Sequence, residues 1–110
     1  MSLDIRFTSY GNVICPHCGE VVCRKEKDHV SSSGRGWYPI LQELGYYVPY
    51  DQRTEENDWY GKNMVLTKEQ GETVYRFVRD NSYLYNCSEV QGMIAAALLD
   101  SNEIVVNADW

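Results

Sequence analysis

The residues best suited to chemistry are cysteines, three of which lie close together near the N-terminus of this 110-residue chain. Cys15 and Cys18 are separated by Pro16 and His17, and Gly19 follows them. Two thiolates at this spacing can point at one metal ion, because Pro16 stiffens the turn and Gly19 permits a left-handed backbone that aims N–H groups at the sulfurs. The pair therefore predicts a metal site, and the ion that such cysteine ligands favour is zinc.

A closed structural zinc site takes four ligands, so this pair needs two more. The nearest candidates along the chain are Cys23 and His29, which give the spacing Cys-x2-Cys-x4-Cys-x5-His. His17, inside the pair, and Cys87, before a predicted helix, are the alternative donors. The predicted ligand set is Cys15, Cys18, Cys23 and His29.

The segment from Cys15 to Gly19 resembles the knuckle of zinc ribbons and related zinc-binding proteins. The four-ligand spacing is similar to the retroviral-type zinc knuckle, Cys-x2-Cys-x4-His-x4-Cys, but differs from it in ligand order and in the last interval. A bound zinc in this setting has a structural role, since a closed site leaves no position for a reactive water.

Cys-Pro-His-Cys also resembles the active site of thioredoxin-like disulfide oxidoreductases. That resemblance implies Cys15 as the nucleophile, Cys18 as the resolving thiol, and Val48-Pro49 as the counterpart of the cis-proline loop. However, residues 19–23 are typical of a strand, whereas that family uses a helix to lower the thiol pKa. Zinc binding is therefore favoured over redox catalysis.

Composition and motifs exclude several other classes. No apolar run approaches the roughly 20 residues that span a bilayer, and the first six residues lack the apolar centre of a signal peptide. We therefore expect a cytoplasmic location, where cysteines stay reduced. The sequence has no phosphate-binding glycine loop, nucleophile elbow or zinc-protease motif, and it has two histidines. We expect a protein that is not an enzyme.

The charge of the chain is unevenly distributed. Its formal net charge is −6, and residues 37–110 carry twelve acidic side chains against five basic ones. An acidic surface repels phosphate backbones, so direct nucleic-acid binding by this part is not expected, and a basic protein partner is favoured. Aromatic residues crowd residues 37–60, and at least half of these rings are expected to fill the core. The last part of this stretch, residues 50–60, also holds four acidic side chains and is here called the acidic loop. The predicted partner-binding residues are Tyr50, Asp51, Glu55, Glu56, Asp58, Trp59 and Tyr60.

Taken whole, the small acidic chain with its zinc knuckle resembles accessory proteins of phages and mobile elements, including some anti-CRISPR proteins. This resemblance implies an inhibitor that acts in a bacterial host cell by occupying a basic channel of an RNA-guided CRISPR effector nuclease. The alternative is a regulator that binds nucleic acid through the metal hairpin. Its phosphate contacts would come from Arg24, Lys25, Lys27 and Arg35.

The sequence patterns around these residues predict an α+β fold in one domain, residues 1–110. Residues 1–30 are expected to form a zinc-binding β-hairpin, and residues 37–110 an acidic α+β body. Alternation over residues 3–7 predicts a strand, residues 10–12 a turn, and the β-branched pairs at 13–14 and 21–22 a short hairpin with the cysteines at its bend.

Helix signals dominate the second half of the chain. Residues 37–44 predict a short helix that Gly45 ends, after a flexible segment at 31–36. Thr67 and Ser88 each precede Gln by three positions, as in a capping box, which predicts helices from about 68 to 80 and from about 88 to 99. Residues 46–50 are expected to be extended, 51–63 to be a polar loop and 103–107 to be the final strand.

Overall fold

Four antiparallel strands form the sheet of the computed structural model, which describes residues 3–110, except for the side chains of residues 21 and 22. The strands are β1 (Asp4–Ile14), β2 (Val21–Ser33), β3 (Asn63–Leu66) and β4 (Glu103–Asp109), in the spatial order β2-β1-β4-β3. The helices are α1 (Tyr38–Glu43), α2 (Lys68–Asp80) and α3 (Cys87–Leu99). The predicted single α+β domain is confirmed.

Strand β1 lies inside the sheet and joins the N-terminal hairpin to the rest of the domain. It pairs with β2 from Asp4↔Ser33 to Ile14↔Val21. It pairs with β4 over a shorter span, which ends at Tyr10↔Glu103. The outer part of the hairpin, residues 11–25, therefore continues beyond the end of β4; we call it the distal hairpin.

Alternation along β1 decides which face of the sheet is covered. Ile5 and Phe7 are buried, whereas Arg6, Thr8 and Tyr10 on the other face are only half-buried. The helices, strands β3 and β4 and the connecting segments supply the rest of the core, and the Phe7 ring packs against the Trp37 ring with centroids 5.4 Å apart. The largest fully buried side chains are Trp37, Tyr46, Phe7, Leu3, Ile5, Ile40, Leu41, Ile94, Val74, Val78, Val90 and Val106.

Helix α2 begins at the predicted capping box. The Thr67 hydroxyl accepts a hydrogen bond from the Gln70 backbone N–H at 3.1 Å, and the Gln70 side chain accepts one from the Thr67 N–H at 2.9 Å. Gly71, which lowers intrinsic helix propensity, is buried where α2 approaches α3 and β4. A Cβ at this position would lie 3.1 Å from Leu98 Cδ2 and 3.3 Å from Ile104 Cδ1. Glycine thus permits close packing.

Three local predictions are wrong. The turn predicted at residues 10–12 is continuous strand, because Gly11 pairs with Lys25 and leaves room for the Lys27 side chain. In the segment predicted to be flexible at 31–36, residues 31–33 complete β2, where Ser32 is buried, and residues 35–36 begin a short 3-10 helix, Arg35–Trp37. Helix α3 is not capped by Ser88; it begins at Cys87 after Asn86, which has a left-handed backbone.

Strand β3 lies in a region for which the sequence predicted no strand. It has four residues and pairs with β4 from Asn63↔Asn107 to Leu66↔Ile104. Met64 and Leu66 are buried and Val65 is exposed, so the strand does show alternation. Such a short pattern indicates a strand only once a partner strand is known.

Candidate metal centre and acidic interaction surface

The Cys-Pro-His-Cys-Gly segment forms the turn at the outer end of the distal hairpin. The Cys15 backbone N–H donates to the Glu20 carbonyl at 2.8 Å, and the Gly19 N–H donates to the Cys15 carbonyl at 2.9 Å. Gly19 has a φ of +73°, a conformation that glycine adopts with little strain. The turn places Cys18 in solvent and leaves Cys15 half-buried.

The environment of Cys15 favours its thiolate. Hydrogen bonding to the backbone of Cys18, and then to that of His17, lowers the pKa of the Cys15 thiol, and the Cys18 side chain adds to this effect. Backbone N–H groups stabilise a sulfur anion because they place positive charge beside it. The turn therefore brings two sulfurs together, one of them favoured as a metal-binding thiolate.

The structure does not place both Cys23 and His29 beside Cys15 and Cys18. Cys23 lies on β2 opposite Val13, and His29 lies on the same strand opposite Thr8. Six residues of extended strand separate them by about 20 Å, so one ion cannot bind both. His29 instead lies on the uncovered face of the sheet, with its Nδ1 3.0 Å from the Thr8 hydroxyl. The predicted ligand set is thus split along β2.

The alternative donors occupy different positions. Cys87 lies at the start of α3, where its Sγ donates to the Val78 carbonyl at 3.2 Å and its side chain packs against the core. His17 is exposed within the turn. Across residues 3–110, no group of three or more His, Cys, Asp or Glu side chains is arranged to hold a metal ion. The turn therefore presents two ligands, Cys15 and Cys18.

The surroundings expected for a thioredoxin-like site differ from those observed. Cys15 follows a β-strand and lies in a hairpin turn rather than at the N-terminus of a helix. The peptide bonds within residues 3–110 are all trans, including the one between Val48 and Pro49. Neither the helix nor the cis-proline that this resemblance implies lies beside the pair.

No family model, curated protein or solved structure matches this chain. Among the helices of residues 3–110, none has the length and apolar character needed to cross a membrane.

The acidic loop is held in place by its single basic residue. Arg53 donates from Nε and Nη2 to the Val48 carbonyl, at 3.3 and 3.0 Å. Its guanidinium also lies over two rings, 5.4 Å from the Trp110 centroid and 5.9 Å from that of Tyr47. Both contacts turn this positive charge inward, toward the body of the domain. The Arg53 guanidinium therefore forms no ion pair with the carboxylates of the loop.

Further hydrogen bonds order the rest of the loop. The Asn57 side chain accepts from the Thr54 backbone N–H at 2.6 Å and donates to the Gln52 carbonyl at 3.3 Å. The Asp58 carboxylate accepts from the Tyr60 N–H at 3.2 Å. These bonds give the segment a defined shape before any partner arrives.

The predicted partner-binding residues do not all face solvent. Tyr50 is 87% exposed and Tyr60 is 48% exposed, whereas Trp59 is half-buried and packs against the core. Asp51, Glu55 and Glu56 are exposed and Asp58 is half-buried. None of the four carboxylates forms an ion pair with another residue of the described chain. A shallow groove of about 570 Å³ in this region is lined by Tyr50, Asp51, Arg53, Thr54, Glu55 and Asp58.

The basic residues predicted for phosphate binding do not form one surface. Arg24 forms an ion pair with Glu103 and lies over the Tyr10 ring, 4.7 Å from its centroid. Lys27 folds toward Gly11. Arg35 lies beyond the far end of β2 from Arg24. Arg24 is thus occupied within the domain, Lys27 packs against β1, and Arg35 is remote from both.

Proposed function

We propose that this chain is a non-catalytic, zinc-binding interaction protein of the inhibitor type, which binds a basic surface of a nucleic-acid-handling protein through its acidic loop. The observation that carries the proposal is the display of four carboxylates without internal counter-ions beside the exposed ring of Tyr50.

The loop combines the features that a basic partner requires. Unpaired carboxylates steer a positively charged surface into encounter and favour the correct orientation. Tyr50 provides a rigid ring that can bury substantial area at low entropic cost, as interface anchors do. Because Arg53 and Asn57 already brace the loop, binding need not order it.

An RNA-guided nuclease is a target of the proposed kind. Its guide and target strands lie in a positively charged channel that recognises backbone rather than sequence. A compact acidic surface can occupy such a channel in place of nucleic acid, since both present negative charge. The proposed inhibitor is thus expected to compete with nucleic acid for its partner.

The zinc proposal rests on the turn that contains Cys15 and Cys18. Backbone hydrogen bonds close the turn, and hydrogen bonds from the backbone of Cys18 and His17 lower the pKa of the Cys15 thiol. Since the fully buried core contains no cysteine, the metal would order the distal hairpin rather than the body.

The test is a binding titration with a purified, guide-free RNA-guided nuclease, and with an oligoarginine peptide as the simplest basic probe. The variant Glu55→Gln/Glu56→Gln/Asp58→Asn keeps side-chain size and removes three charges. We expect the Kd to rise about 5- to 30-fold, because each rim charge contributes up to about 1 kcal/mol. A lower association rate should account for much of the loss of affinity, and added salt should reduce the difference in Kd between the variant and the wild type.

The matched control is Glu26→Gln/Glu69→Gln/Asp100→Asn, which removes the same charge from exposed positions outside the acidic loop. It should change the Kd by no more than about twofold. Equal losses in both variants would mean that net charge matters and that the loop does not. If the chain binds neither the nuclease nor the oligoarginine peptide, the proposed function is refuted.

A further inference from the structure

The distal hairpin carries the cysteine pair away from the body of the domain. Pairing between β1 and β4 ends at Tyr10, whereas β1 itself continues to Ile14. Four further residues of strand correspond to about 13 Å. The turn with its two sulfurs therefore lies well beyond Glu103, the first residue of β4, in the sheet.

The base of this projection is braced on both sides. Arg24 of β2 forms its ion pair with Glu103 at the start of β4, and its guanidinium covers the Tyr10 ring. On the other side, Gly11 lies against the side chains of Lys27 and Asn102. These contacts tie the base of the hairpin to the start of β4 and to the residue before it.

His17 lies within the turn but forms no three-ligand group with Cys15 and Cys18, and the other candidate ligands of the described chain lie elsewhere. Cys87 is held at the start of α3 by its bond to the Val78 carbonyl, and His29 lies about 20 Å along β2 from Cys23. Cys23 is set back from the turn, since its partner Val13 precedes Cys15 by two residues, about 7 Å of strand. A tetrahedral zinc site takes four ligands, and a single turn supplies half of them.

We propose that the turn is half of an intermolecular metal site, in which two copies of this chain share one zinc ion through Cys15 and Cys18 of each copy. The four thiols release their protons as the four zinc–sulfur bonds form, so the centre carries a net charge of −2. The arrangement is closed and two-fold symmetric, because the same two residues act in each copy.

Charge distribution permits this contact. The chain as a whole carries −6, but residues 11–25 contain one acidic and two basic side chains, a local charge of +1. The acidic bodies stay apart because each turn lies beyond its own sheet, and salt screens charges over about 8–10 Å.

A dimer of this kind also bears on the acidic loop. Two linked copies would present two acidic loops, and a second binding event within one complex gains from effective concentration. The inference rests on the zinc binding proposed above and adds the second copy as the source of the missing ligands.

The test measures mass and metal content together on the full chain, in a phosphine reductant so that disulfide dimers do not form. Zn²⁺ is titrated during analytical ultracentrifugation, and Co²⁺ serves as the spectroscopic probe of thiolate coordination. We expect one zinc per two chains and a mass about twice 12.7 kDa. Addition of EDTA should return the mass to that of one chain.

Four single variants locate the ligands. Cys15→Ser and Cys18→Ser should each abolish the zinc-dependent doubling of mass. Cys23→Ser and Cys87→Ser are the matched controls, which remove a thiol elsewhere and should keep both the metal and the dimer. Because the wild-type response to EDTA needs no substitution, the proposal can be tested even if a variant folds poorly.

The outcomes separate the two proposals. One zinc per chain at the mass of one chain would overturn the bridge and leave zinc binding intact, and loss of that zinc in Cys23→Ser would identify a site within one chain. A dimer that persists in EDTA would also overturn the bridge. If the chain binds neither Zn²⁺ nor Co²⁺, both zinc binding and the zinc bridge are refuted. That result would not bear on partner binding by the acidic loop.

Discussion

The hydroxyl of Tyr46 holds together both ends of the segment that contains the acidic loop. The side chain is fully buried, and its oxygen accepts a hydrogen bond from the Ala108 backbone N–H at 2.8 Å. It lies 2.6 Å from the Lys62 carbonyl and 3.0 Å from that of Ala108, and it donates to one of them at a time. We therefore expect Tyr46→Phe to be strongly destabilising.

The expected magnitude follows from the groups that lose a partner. The variant leaves the Ala108 N–H without its acceptor in a buried position, which costs about 1–3 kcal/mol, and it removes the bond to the Lys62 carbonyl. A loss of about 2–3 kcal/mol is a large share of the 5–15 kcal/mol typical of a domain. With a urea m-value of about 1.5 kcal/mol/M, the midpoint should fall by roughly 1.5–2 M.

Urea unfolding followed by tryptophan fluorescence measures this change. The matched control is Tyr83→Phe, which removes a hydroxyl from a ring that is 72% exposed and should shift stability by less than about 0.5 kcal/mol. A change for Tyr46→Phe as small as that of the control would refute the reasoning, since it would mean that the buried N–H finds another acceptor.

The same hydroxyl predicts a pH dependence. Burial raises the pKa of Tyr46 above its ordinary value of about 10, so the folded state holds this proton more tightly than the unfolded state does. The resulting stability is fully present below pH 10 and is lost as the pH rises toward the folded pKa. The gap between wild type and Tyr46→Phe should therefore narrow above pH 10. A constant gap up to pH 11 would contradict this.

Two other sites give predictions that urea unfolding can check. Gly71→Leu should lower the free energy of unfolding by about 1–2 kcal/mol, because the new side chain would press against α3 and β4. Gly92→Ala should raise the free energy of unfolding by about 0.5–1 kcal/mol, because an added Cβ there meets nothing within 4 Å. Higher stability in both variants would show that helix propensity outweighs packing at Gly71. Ser32→Ala should lose about 1–3 kcal/mol, because the Trp37 indole N–H donates to the Ser32 hydroxyl at 2.9 Å, while Ser33→Ala should have little effect. Equal effects at the two serines would rule out a role for that bond.

Local signals in the sequence were sufficient for most of the secondary structure. The capping box at Thr67, the glycine that ends α1, and the apolar run of β4 each act within a few residues, so the chain itself specifies them. The turn at Cys15 to Gly19 belongs to the same group, since Pro16 restricts the backbone there and Gly19 permits the left-handed conformation that the turn needs. Composition also identified the acidic loop, because charge density needs no tertiary information.

Long-range contacts decided the rest. Gly11 reads as a turn residue on its own, but its pairing with β2 makes it part of a long strand. Arg53 belongs to the acidic loop by sequence, yet its contact with the distant Trp110 holds its guanidinium against the body of the domain. Whether His29 can join Cys15 depends on strand extension, which separates residues that are near neighbours in sequence.

The sequence by itself thus determined the α+β class, the pairing of two thiols at one turn and the location of the negative charge, because each depends on residue type and short spacing. Only the tertiary structure decided that the turn projects beyond β4 and that the loop carboxylates lack counter-ions. Both results depend on which distant segments meet, and the physical reason is that burial and strand pairing act between residues whose separation along the chain carries no local signal.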